Sequence, residues 1–86
     1  MNWKPVNQDK VLGSEDLKVG STYRGKHPVK DLDGDYNDRF ILWISKDRTR
    51  VQYDSNAVKD FRHYPVVSVE KFLEWAKCEV VKEVSP

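Results

Sequence analysis

Three groups of residues in this sequence carry side chains able to bind or react. The first is Asp31-Leu32-Asp33-Gly34-Asp35. Oxygen ligands at alternating positions suit Ca²⁺, and an EF-hand loop opens in this way. Counted from Asp31, however, the turn glycine of such a loop falls on Tyr36 and its closing bidentate glutamate on Leu42. A solvated acidic loop over Asp31–Asp38 is expected, turned by Gly34 and Asn37, with no metal bound. The second group is His27, His63 and Cys78. A nucleophilic cysteine needs a base within hydrogen-bond reach and a third group to orient that base. Nothing in the spacing joins these three, and no i,i+4 histidine pair points to zinc. Neither catalytic residues nor a cofactor are expected.

The third group lies on a predicted hairpin. Over Arg39–Ser45, alternation sends Phe40, Leu42 and Ile44 to one side and Arg39, Ile41, Trp43 and Ser45 to the other. On the next strand Val51 and Tyr53 alternate with Arg50, Gln52 and Asp54. Arg39, Ile41, Trp43, Arg48, Arg50 and Gln52 thus form a candidate binding face, with Trp43 as a platform between guanidinium groups. Such a face suits base stacking with phosphates nearby, or a protein hot spot. The competing reading has a helix or the N-terminal arm covering Ile41 and Trp43, so that both sheet faces are buried. A secondary patch, Arg24, Lys26 and His27 with Lys30 behind them, precedes the acidic loop. Adjacent basic and acidic stretches steer association with a charged protein partner.

The elements that must position these residues are short. Met1–Gly13 shows no clear period and is expected as an N-terminal arm docking through Trp3 and Val6, ahead of a single domain over 14–84. Ser14-Glu15-Asp16-Leu17 fits one helical turn with acids at its positive end, and Gly20 is free to take positive φ. Strands are expected over Ser21–Lys26, Asp38–Ser45, Thr49–Asp54 and Tyr64–Val67, the last at an edge or a strand start because of Pro65. Ser55–Arg62 is a polar connection anchored by Val58 and Phe61. Ser68 caps a final helix of about thirteen residues, with Val69, Phe72, Leu73, Ala76 and Val80 on one buried face. The whole predicts a small α+β domain: an SH3-like antiparallel barrel, or next an open antiparallel sheet with one packed helix.

Composition narrows the function classes. The chain has 86 residues, 15 Lys+Arg against 14 Asp+Glu, and a formal charge of +1. That balance argues against a strongly basic nucleic-acid module and against an acidic DNA mimic. Charged residues make up 34%, and hydrophobic ones only 38%, so the ten aromatic side chains must supply much of the core. The longest apolar run, Phe40–Ile44, is far too short to span a bilayer, and no leader for export is evident. A lone cysteine excludes an internal disulfide. The charges are unevenly placed: the acidic loop is followed by a stretch from Lys46 to Arg62 with a net charge of +2.

Leu17-Lys18-Val19-Gly20-Ser21-Thr22-Tyr23 resembles the opening of SH3-like small barrels, where a turn and a glycine lead into the first strand. Val66-Val67-Ser68-Val69-Glu70-Lys71-Phe72-Leu73-Glu74-Trp75-Ala76 resembles the ending of short accessory proteins of bacteriophages and prophages. The resemblance implies an accessory, host-directed role in a bacterial cytoplasm. Small-barrel ribonuclease toxins are similar in outline, but no residue-by-residue match to their catalytic positions exists; Arg24, His27 and Arg50 are the nearest candidates. The expectation is a non-enzymatic binding module whose partner is a protein. Nucleic-acid binding through the Arg39–Tyr53 hairpin is the alternative, and a toxin-like ribonuclease the second.

Overall fold

In the computed structural model, which describes residues 3–56 and 63–82, six strands form one antiparallel sheet. They are β1 (Trp3–Val6), β2 (Thr22–Gly25), β3 (Arg39–Ile44), β4 (Arg50–Ser55), β5 (Val66–Ser68) and β6 (Ala76–Lys82). A helix, α1 (Val69–Trp75), joins β5 to β6, and a 3-10 turn spans Ser14–Asp16. The spatial order is β1-β6-β2-β3-β4-β5. The outer strands do not pair with each other, so the sheet is open and the expected barrel does not close. The α+β class and the antiparallel sheet with one packed helix are as expected. Val58, Phe61, Lys59 and Arg62 lie outside the described residues.

Two expectations about the chain ends are corrected. Residues 3–6 of the expected arm are a strand in register with β6, from Trp3↔Lys82 to Val6↔Glu79. The final helix is seven residues rather than thirteen. It starts as expected: the Lys71 N–H donates to the Ser68 hydroxyl at 3.1 Å, satisfying one free donor of the first turn. It stops at Trp75 because Ala76-Lys77-Cys78-Glu79-Val80 alternates buried and more exposed positions, the period of a strand. Ala76 and Val80 are four apart, a spacing that also fits a helix, but a bulge at Lys77 sends Ala76 to the α1 side and Cys78 and Val80 to the opposite face. β6 then lies between β1 and β2, with Thr22↔Val80 and Arg24↔Cys78 opposed.

Both sheet edges are unsuited to further pairing. β1 carries Pro5, which has no N–H to offer, and β5 is only three residues long, directly after Pro65. The β3–β4 turn is held by side chains. The Asp47 carboxylate accepts from the Ser45 hydroxyl and the Thr49 hydroxyl, each at 2.7 Å. These hydrogen bonds hold the Asp47 carboxyl below its ordinary range. Arg48 takes positive φ (59°), and its guanidinium donates to the carbonyls of Ser14 at 2.6 Å and Leu17 at 2.8 Å. The turn is thereby tied to the 3-10 segment.

The core lies between α1 and one sheet face. Phe72 is its centre: its ring meets Tyr23, Tyr53 and Trp75 edge-on at centroid distances of 5.7, 6.0 and 5.4 Å. Ile41, Val51, Val69 and Leu17 fill in around it. The Tyr23 hydroxyl donates to the Asp16 carbonyl at 2.6 Å and accepts from the Lys18 N–H at 3.1 Å, so this buried phenol has its partners. Gly25 is required where it stands, since a Cβ there would lie 2.5 Å from Trp75 Nε1. Phe72→Ala is expected to remove about 3–5 kcal/mol in urea denaturation. Leu73→Ala, at a half-buried position, should cost clearly less; equal losses would contradict this packing.

Candidate functional site

Antiparallel registration fixes which side chains share a face, because directly opposed residues point the same way. Thr22 opposes both Phe40 and Val80, Pro5 opposes Val80, and Phe40 opposes Asp54. These residues look away from α1. Their neighbours Tyr23, Ile41 and Tyr53 look into the core. The sheet thus has one face covered by α1 and a second, more open face that buries Thr22, Cys78 and Val80 and exposes Phe40.

A β-bulge divides the expected binding face between the two. Ile41 opposes Tyr53, but Trp43 opposes Gln52, leaving Leu42 as the extra residue. Strict alternation would place Trp43 beside Ile41; the bulge turns it over. Ile41 is fully buried under α1, while Trp43 and Gln52 lie on the open face. Arg50, two residues before Gln52, is exposed and shares the open face by period. Arg39 is on the covered side, its guanidinium 4.1 Å from the Trp75 ring centroid and 4.3 Å from that of Tyr53. Burial pushes the Arg39 pKa down, and no carboxylate pairs with it among the described residues. Arg48 is engaged by Ser14 and Leu17. The six residues therefore do not form one surface.

The open face is rich in apolar side chains. Trp3, Phe40, Trp43 and Val66 are each between 40% and 48% exposed. Val66 opposes Gln52 across β4–β5, which extends the row to the sheet edge. Between this face and the loop at 30–38 runs a groove of about 820 Å³, lined by Trp3, Thr22, Phe40, Tyr36 and Asp54 among others.

The loop side of the groove is built around three hydrogen-bonded devices. Asp31 Oδ1 accepts from the backbone N–H groups of Asp33 (2.9 Å) and Asp35 (3.0 Å), which closes the turn on itself. The Asn56 amide donates to the Tyr36 carbonyl at 2.9 Å, linking the loop to the end of β4. Arg24 holds Asp38 in a two-point ion pair, at 3.0 and 3.1 Å, with both side chains largely buried. That hydrogen-bonded carboxylate raises the Arg24 pKa. Its guanidinium also stacks on Tyr36 at 4.0 Å, and Lys30 Nζ approaches the same ring at 5.1 Å.

Of the secondary patch, Arg24 belongs to this wall, while Lys26 and His27 are exposed in the turn after β2. Cys78, expected on a helix, is buried in β6 opposite Arg24, and burial pushes its thiol pKa up. A protonated buried thiol is a small hydrophobe rather than a nucleophile. The groove was not legible in sequence, since its residues come from four strands and a loop. The one available signal was Phe40, whose outward position follows from its neighbour Ile41 being core. Compared with known protein families, with curated proteins and with solved structures, the chain matches none.

A double-mutant cycle on Arg24→Met and Asp38→Asn should give a coupling energy of about 1–2 kcal/mol in urea denaturation, the range for charge-assisted hydrogen bonds partly reached by water. A coupling near zero would mean that the pair does not fix this wall.

Proposed function

We propose that the chain is a small non-enzymatic binding module whose partner is a protein, docked on the open sheet face. The observation that carries this reading is the row Trp3, Phe40, Trp43 and Val66 standing outward where an antiparallel sheet facing water normally alternates to polar residues. Exposed aromatic and aliphatic side chains interspersed with polar ones are the usual make-up of an interface. Electrostatics favour a protein over nucleic acid. Of the cations that a phosphate backbone would need, Arg39 sits over aromatic rings and Arg48 is bonded to backbone carbonyls. The groove beside the aromatic row is lined by three carboxylates against two cations, which opposes a polyanion. The resemblance of the Val66–Ala76 segment to phage accessory proteins supports a module that blocks or redirects a bacterial factor in the cytoplasm.

The immobilised chain should capture a discrete protein from a bacterial lysate, and Phe40→Ser combined with Trp43→Ser should abolish that capture at an unchanged melting temperature. Equal capture by the variant would contradict docking on this face. Tight oligonucleotide binding that weakens steeply with salt would favour the nucleic-acid reading instead.

A further inference from the structure

The groove carries a charge imbalance that the fold itself does not resolve. Of its two cations, Arg24 is neutralised by Asp38 and stacked on Tyr36, and Lys30 lies against the same ring. Asp35 and Asp54 also line the groove, and neither forms an ion pair among the described residues. Asp54 lies beside Phe40 across the β3–β4 pair, so a carboxylate and an exposed aromatic ring are presented side by side on the open face. Trp3 lines the groove from β1. From β1 to β4 the sheet order gives four inter-strand steps, about 19 Å, which about six extended residues span.

We propose that this groove receives an extended basic segment of the partner, with a lysine or arginine head on Asp54 and Asp35 and apolar stems on Phe40 and Trp3. This rests on the protein-binding reading and gives it a ligand chemistry. Long basic side chains suit the site because their methylene stems cover apolar surface while the charged head reaches a carboxylate. The aromatic faces add cation–π attraction for the same head groups. Acidic segments and phosphates meet like charge here, which sets specificity by repulsion as well as attraction. A metal ion is a poorer occupant, since no group of three or more acidic, histidine or cysteine ligands gathers among the described residues.

The test is titration of the ¹⁵N-labelled chain with three probes of similar length: a hexapeptide alternating Lys and Leu, its Glu–Leu counterpart, and hexathymidylate. The Lys–Leu peptide should shift the amides of Thr22, Phe40 and Asp54. Its dissociation constant should rise about tenfold in Asp35→Asn combined with Asp54→Asn. Phe40→Ser should weaken it too, and the melting temperature of each variant reports that it is folded. No binding, shifts confined to other surfaces, equal binding of the Glu–Leu peptide, or an unchanged constant in the Asn variant would each overturn the proposal. Binding of hexathymidylate at this groove would overturn it in favour of nucleic acid. Lysate capture that depends on Phe40 and Trp43, without Lys–Leu binding, would defeat the basic-segment proposal alone. Loss of both would defeat the docking face as well.

Discussion

One short helix has to cover a six-stranded sheet. Seven helical residues extend about 10 Å, whereas five inter-strand steps make the sheet about 24 Å wide. The helix can pack one patch of one face, and it does so through Phe72 against Tyr23 and Tyr53. Everything else follows from that asymmetry. Leu17 and the 3-10 turn are drawn in to extend the covered side, Tyr23 ties that turn down through its hydroxyl, and Arg48 holds it from the hairpin. On the opposite face, among the described residues, the 30–38 loop folds along one part, Thr22, Cys78 and Val80 are buried, and Phe40 and Trp43 are exposed.

The loop is more ordered than a run of acids implies. Its carboxylates do different things: Asp31 closes the turn, Asp38 binds Arg24, and Asp35, like Asp54 on β4, lines the groove without an ion pair among the described residues. The near-neutral formal charge of the chain therefore conceals local separation. A mildly acidic groove and an exposed Arg50 near Trp43 sit at different ends of one open face. Local separation of this kind directs which partner approaches and in what orientation.

What could be read from the sequence followed from local chemistry. The β3–β4 hairpin was legible in its β-branched and aromatic runs, and the start of α1 in Ser68, whose hydroxyl accepts as an N-cap must. The helix end was not legible, because Val69, Phe72, Ala76 and Val80 keep a helical spacing through a segment that pairs on both sides as β6. Tertiary pairing overrode the local period there. β1 was hidden by its length and by Pro5, which only an edge position tolerates. The candidate face was misassembled for a different reason. Phe40-Ile41-Leu42-Trp43-Ile44 is apolar without a break, so nothing in it marks Leu42 as the bulged residue that reverses Trp43. Ile41 and Trp43 look equivalent in sequence and end on opposite faces.

α1 covers one face of the sheet, and on the other Trp3, Phe40 and Trp43 stand partly in solvent. The most direct measurement is ¹⁹F NMR of the chain labelled with 5-fluorotryptophan, with a soluble paramagnetic probe added. Of its three tryptophans, Trp3 and Trp43 report on the open face and Trp75 on the covered one. Trp3 and Trp43 on the open face should broaden strongly, and Trp75, packed against Phe72, should broaden least. Protection of Trp43 equal to that of Trp75 would show both faces covered and would contradict the account.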